Sequence, residues 1–202
     1  MPYDTDYNYI DNECLYTDKA TNILLNKAGI ADHKELQIFE SFNVAARIEE
    51  LFSKPIKIQF ANDFLKIHKY LFQDVYDWAG NVRKVEISKD GRQFLPTHSF
   101  PQAFAYIDSL LLEYEKILKT DKLAIAKKLA EILDNMNFLH PFREGNGRAQ
   151  REFIRTLALQ KGYRLDLNPW DKQSVYDRYM DGTINGKAAD LADLILELLE
   201  IY

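Results

Sequence analysis

Apolar residues that recur at alternating steps of three and four constrain this 202-residue chain more than any other feature. Phe104, Ile107, Leu111, Tyr114 and Leu118 follow that step, as do Leu123, Ala126, Ala130 and Leu133. Such spacing collects side chains on one face of an α-helix. Asn62, a candidate N-cap, precedes a third stripe of Phe64, Ile67, Leu71 and Val75. Asp32 with Glu35 three residues on forms a capping-box pattern ahead of a helix whose apolar face carries Ile38, Phe42, Ala45 and Phe52. Asn168-Pro169 predicts another helix start, because proline suits the first turn. Leu191, Leu194, Leu198 and Ile201 mark a final helix.

One stretch breaks the helical period. Val85-Glu86-Ile87 alternates, Asp90-Gly91 is a hairpin turn signal, and Phe94-Leu95-Pro96 ends the return. A two-stranded hairpin is marginally stable alone, so it should pack on the helices, move, or await a partner strand. The first eighteen residues hold five acids and no base, which reads as a loosely held arm that Tyr3, Tyr7 and Tyr9 could pin to the body. The expected organisation is an arm over 1–18 and one mainly helical, all-α domain over 19–202 that carries a small β-hairpin flap.

The formal net charge is −5. That argues against a protein that binds DNA or anionic lipid through a basic surface. Cys14 is the single cysteine, which excludes an internal disulfide and a thiolate zinc cluster. The longest apolar run, Ala103 to Ile107, is too short to span a membrane. No positive charge precedes Lys19, so a signal peptide is not expected, and the reading is a cytoplasmic protein.

The chemistry is concentrated in His140-Pro141-Phe142-Arg143-Glu144-Gly145-Asn146-Gly147-Arg148-Ala149-Gln150-Arg151. A residue before proline avoids the helical region, so the preceding helix should stop at His140. A new stripe of Phe153 and Leu157 begins after the glycines and ends at Gly162. The segment is therefore helix, tight loop, helix. The second helix offers unsatisfied N–H groups and a dipole that favours an anion. Arg148 and Arg151 fall on one face of it, and two guanidinium forks above such an N-terminus suit a polyphosphate. Glu144 is a hard oxygen ligand for Mg²⁺, which prefers one or two carboxylates with phosphate oxygens and water. His140, mostly neutral near pH 7, can accept a proton from a hydroxyl. Together these parts suggest transfer of a phosphate-containing group from a nucleotide to a hydroxyl. The loop lacks G-x-x-x-x-G-K-[ST] and is not a Walker P-loop.

The same twelve residues match the motif H-P-F-x-[DE]-G-N-G-R-x-x-R, and on that basis the chain resembles the Fic family. Asp74-Val75-Tyr76-Asp77-Trp78-Ala79-Gly80 with Arg83 resembles the family's stretch before its flap, and the resemblance runs over about residues 20 to 200. It implies a mainly helical fold and transfer of AMP from ATP to a Ser, Thr or Tyr hydroxyl of a target protein, with release of pyrophosphate. His140 would be the general base and Glu144 would hold Mg²⁺. Gly145, Asn146 and Gly147 would form the anion hole, Arg148 would clamp the inner phosphates, and Arg151 the γ-phosphate. The target would lie along the flap at Val85, Glu86, Ile87, Ser88 and Lys89, held by strand addition. A kinase-like branch replaces the second glycine by lysine; Gly147 and Arg151 favour adenylylation. Transfer of UMP, phosphocholine or phosphate on the same scaffold is the alternative, as is a non-catalytic nucleotide-binding module.

Many relatives are silenced by a helix bearing [ST]-x-x-x-E-[GN], whose Glu pairs with the second arginine. Ser109 and Glu113 have the spacing, but Tyr114 follows, so the resemblance implies a toxin whose inhibitory Glu comes in trans from a small antitoxin. His33, His68 and His98 have no partner pattern and read as structural. Arg143 and Arg155 read as surface or ion-pair residues, and Tyr176 and Tyr179 as core packing ahead of a border to the adenine.

Overall fold

Helical stripes close around one another in this computed structural model, which describes residues 7–9, 14–89 and 91–202. Among the described residues there are seven α-helices: α1 (His33–Ser53), α2 (Asp63–Phe72), α3 (Phe100–Lys116), α4 (Lys122–Leu139), α5 (Asn146–Gln160), α6 (Gln173–Ile184) and α7 (Ala188–Leu198). The centre is α4, which buries Ile125, Ala126, Leu129, Leu133 and Met136 and packs against α3, α5 and above all α7. Each large side chain buried there contributes roughly 1.5–3 kcal/mol. Helix α2 crosses α5 and sets Phe64 against Phe142 and Phe153, with ring centroids 5.0 and 5.8 Å apart.

The caps are partly those the sequence predicts. The Asp32 carboxylate accepts from the Glu35 N–H at 2.8 Å. Asn62 makes no side-chain cap bond; the carboxylate of its neighbour Asp63 instead accepts from the N–H groups of Gln59 and Phe60. Helix α6 begins at Gln173, not at Asn168-Pro169, which lies in the loop before it. Helix α7 stops at Leu198, and Ile201 is an exposed strand residue rather than the end of the helical stripe. Leu118, in the connection after α3, and Leu123, in the first turn of α4, are both stripe positions in the sequence and are exposed.

The largest departure is in α1. Its buried residues are Leu36, Glu40, Val44 and Leu51. The expected face points outward, with Ile38 64% and Phe42 75% exposed. Two stripes compete on this helix, and the one that contains a carboxylate is the one that faces the core.

The flap is three-stranded. β1 (Tyr7–Tyr9), β2 (Ile87–Lys89) and β3 (Arg92–Gln93) form an antiparallel sheet in that order, with Asn8 opposite Ser88 and Ser88 opposite Gln93. Part of the acidic arm thus supplies the partner strand that the hairpin lacked. Below it Tyr16, Val85 and Ile87 form a small separate core, and Tyr16 meets Trp78 edge-on at 5.6 Å. Tyr3 and Asp90 lie outside the described residues. A second ladder pairs β4 (Tyr163–Arg164) with β5 (Glu200–Ile201) and ties the last residues to the end of α5. Among the described residues no helix is long and apolar enough to cross a membrane.

Candidate active site

The loop between α4 and α5 is held in an uncommon backbone shape. His140 caps α4 with φ +42, in the left-handed region, which costs a non-glycine residue roughly 1–2 kcal/mol. Arg83 holds it there. Its backbone N–H donates to the Pro141 carbonyl at 2.7 Å and its Nε to the His140 carbonyl at 3.0 Å. The same buried guanidinium donates to the carbonyls of Val85 at 2.7 Å and Leu95 at 2.6 Å, one on each arm of the flap. Burial lowers the Arg83 pKa, and Glu86 beside it opposes that shift.

Behind the loop, Phe142 is fully buried and stacks on His68 with centroids 3.7 Å apart. The His68 Nδ1 accepts from the Gly80 N–H at 2.9 Å, so Nε2 carries the proton and donates to the Glu144 carbonyl at 2.9 Å. Burial holds this imidazole neutral, with a pKa of about 3. Asn146 closes the loop on itself. Its Oδ1 accepts from the Phe142 N–H and its Nδ2 donates to the Phe142 carbonyl, at 2.9 and 2.8 Å. These two bonds use Oδ1 and one of the two Nδ2 hydrogens. Gly145 caps α5 at φ +81, and a Cβ there would run into the Phe72 ring. No other residue type fits that corner.

His140 is neutral as well. Burial lowers its pKa to about 3. Its Nδ1 lies 3.2 Å from the Asn137 carbonyl, an acceptor, which places the proton on Nδ1 and the basic lone pair on Nε2. The ring stacks on Phe94 of the flap.

Across from it stands the N-terminal turn of α5. Arg148 lies over the Phe72 ring at 4.7 Å, and its Nη2 is 3.3 Å from Glu144 Oε1. Glu144 Oε1 also accepts from the Gly145 N–H at 2.8 Å. Its Oε2 is buried with no hydrogen-bond partner. Burial first, and then the charge of Glu40, push the Glu144 pKa up. An orphaned buried carboxylate oxygen beside a helix N-terminus fits a divalent cation. Among the described residues no group of three or more His, Cys, Asp or Glu gathers to hold a metal. A single carboxylate completed by phosphate oxygens and water does not require one. Arg151 spans the rings of Tyr176 and Tyr179 at 5.5 and 5.4 Å, and its Nη1 would sit 3.4 Å from a Cβ on Gly147.

These groups surround one cavity of about 1080 Å³. His140, Glu144, Gly145, Asn146, Gly147, Arg148 and Arg151 all line it, with Tyr176 and Tyr179 on the α6 side and Lys89, Gln93 and Phe94 on the flap side. Of the flap residues read as target-binding, only Lys89 reaches the cavity. Val85 and Ile87 are buried beneath the sheet, Glu86 is bonded to Arg83 and Thr97, and Ser88 sits in the central strand, paired on both sides. Arg143 is buried and not at the surface, whereas Arg155 is paired with Glu152. Glu113 forms a surface ion pair with Lys128. Sequence reasoning missed Glu40, and it passed over His68 and Phe94 as parts of the site. Glu40 left one signal, its position four residues from both Leu36 and Val44.

The Fic/DOC family profile matches residues 57–158. Protein adenylyltransferase VbhT of Bartonella schoenbuchensis is 38% identical over 158 residues, which is 78% of this chain and 32% of that protein. The chain thus spans about a third of that relative's length. The probable protein adenylyltransferase y4lH of Sinorhizobium fredii is 32% identical over 193 residues, or 95% of this chain and 96% of that one. Among solved structures, BepC of Bartonella tribocorum with bound AMPPNP superposes with a TM-score of 0.81 at 22% identity, covering 93% of this chain and 97% of that one, and so shares the fold. The helical domain, its flap and the motif loop agree with the sequence match along nearly the whole length of the second relative: the chain is a member of the Fic/DOC family.

Proposed function

We propose that this Fic domain is a protein adenylyltransferase of the cytoplasm, which moves AMP from ATP to a Ser, Thr or Tyr hydroxyl of a target protein. The observation that carries the reading is a neutral imidazole and the N-terminus of α5, with Arg148 and Arg151, lining the same cavity. The N–H groups of that turn and the two guanidiniums bind and orient the triphosphate. His140 takes the proton of the incoming hydroxyl at Nε2 as the new oxygen–Pα bond forms. The Pα–oxygen bond to the β-phosphate breaks, and pyrophosphate leaves with the electron pair. Glu144 Oε2 is the oxygen that would hold Mg²⁺, which when bound offsets phosphate charge. Most of the acceleration comes from orientation and fixed charge. The names of VbhT and y4lH, and the AMPPNP in the BepC structure, support the activity and the nucleotide.

The target strand is proposed to add along the outer edge of β3, because both edges of β2 are taken and because Gln93 and Phe94 border the cavity. Incubation with target-containing extract and ATP labelled at the α or γ position tests the activity. Protein label from α alone is expected. Label from γ alone would favour phosphoryl transfer, and ATP binding without any transfer would favour a non-catalytic module.

Control in trans rests on Arg151. Among the described residues no carboxylate pairs with it; it lies against two tyrosine rings instead. A small antitoxin carrying [ST]-x-x-x-E-[GN] should inhibit the wild type and lose its effect on Arg151→Ala. Equal inhibition of both would contradict that partner.

A further inference from the structure

One buried acid beside the motif loop has no part in the chemistry above. Glu40, in the middle of α1, is 1% exposed. Its Oε1 lies 2.6 Å from Arg148 Nη1, and its Oε2 accepts a short hydrogen bond from the Tyr76 hydroxyl. Glu144 Oε1 meets Nη2 of the same guanidinium, which lies over the Phe72 ring. Arg148 is therefore fixed from three directions by α1, α2 and its own loop.

The two carboxylates do different work. Glu144 and Arg148 line the cavity, whereas Glu40 does not. An acid inside the cavity would compete with phosphate for Arg148. An acid outside the cavity wall does not. Without that acid, the remaining carboxylate in contact with the half-buried Arg148 is Glu144, whose Oε1 is 3.3 Å away. Collapse onto Glu144 would turn the arginine away from phosphate and would neutralise the carboxylate suited to the cation.

We infer that Glu40, anchored by Tyr76, is a positioning residue that holds Arg148 in its phosphate-binding orientation and shares it with Glu144. The inference rests on the nucleotide reading of the cavity. It goes beyond that reading by assigning a role to a helix that lies outside the motif. Glu40 is buried and anchored, so the preorganisation the pair gives is lost if either partner loses its charge.

The test is direct binding of Mg-ATP by calorimetry to the wild type, Glu40→Gln, Tyr76→Phe, Arg148→Ala and the Glu40→Gln/Arg148→Ala pair. Glu40→Gln should weaken binding about tenfold, a change of the size expected when one partner of a close ion pair loses its charge. Tyr76→Phe keeps the ring packing and should weaken it less. The double variant should bind no more weakly than Arg148→Ala alone, because Glu40 acts through Arg148. A purely structural Glu40 would instead add its loss to that of Arg148→Ala. Wild-type affinity in Glu40→Gln, or additive losses in the double variant, would overturn the inference while leaving the nucleotide reading intact. A wild type that does not bind Mg-ATP would overturn both.

Discussion

Phe94 of the flap stacks on the imidazole of His140, with ring centroids 3.8 Å apart and planes inclined by 17°. The element proposed to receive the target is thus in contact with the group proposed to take its proton. Removal of that contact should free the imidazole to rotate. Phe94→Ala is expected to slow AMP transfer by about tenfold, the upper end of what a stacking contact of ~0.5–1.5 kcal/mol supplies. ATP affinity should change little, since Phe94 acts on the acceptor side. Parallel measurements of transfer rate and ATP binding check this; a loss confined to ATP binding would contradict it.

The two buried imidazoles set a pH signature. His140 and His68 each have a folded pKa of about 3, below the usual ~6.5 for histidine. The unfolded chain therefore binds more protons, and stability is lost as pH falls below about 6.5 toward 3, by up to ~1.4 kcal/mol per pH unit per histidine. The raised pKa of Glu144 works in the opposite sense. His68→Phe should flatten the slope by about one proton between pH 6.5 and 5, read from urea unfolding. Transfer by the wild type should show no drop near pH 6.5, because His140 is still unprotonated there. An inflection at that pH would contradict the buried, neutral base.

Gly145 and Gly147 should respond differently to the same change. Gly145→Ala forces a Cβ into the Phe72 ring at a positive φ, and should lower stability by roughly 3 kcal/mol or more. Gly147→Ala meets the end of the Arg151 side chain at 3.4 Å and the Tyr179 hydroxyl at 3.9 Å, and should fold normally with an altered ATP affinity. Thermal melts and binding of the two variants separate these cases.

The outward apolar face of α1 provides a check on packing. Phe42→Ser should change stability by less than about 0.5 kcal/mol, as expected of an exposed position, whereas Val44→Ala, buried at 2% exposure, should cost about 1–3 kcal/mol. Chemical denaturation midpoints distinguish them.

Local signals made much of this legible. Pro141 and the two glycines marked the break between α4 and α5, and the helical stripes of α2 and α4 found part of each buried face: Phe64, Ile67 and Leu71 in α2, and Ala126, Ala130 and Leu133 in α4. The turn at Gly91 marked the flap. The rest depends on contacts distant in sequence. In α1 the apolar stripe of Ile38, Phe42, Ala45 and Phe52 outweighed the true one, because the buried face holds Glu40, whose partner Arg148 is 108 residues away. The bonds of His68 go to the backbone of Gly80 and Glu144, which leave no pattern in side-chain spacing. The strand at Tyr7–Tyr9 is three residues long and exists through its ladder with Ile87–Lys89. The helix start expected at Asn168-Pro169 follows a real rule for proline, but the chain delays α6 to Gln173.

The central claim is that one loop grips the triphosphate while a neutral imidazole removes the acceptor's proton. Transfer from α-labelled ATP and equilibrium ATP binding, both measured on the wild type and on His140→Ala, test it most directly. The account predicts at least a hundredfold loss of transfer in the variant, the lower bound for a removed general base, with ATP affinity near that of the wild type. Undiminished transfer by His140→Ala would contradict it.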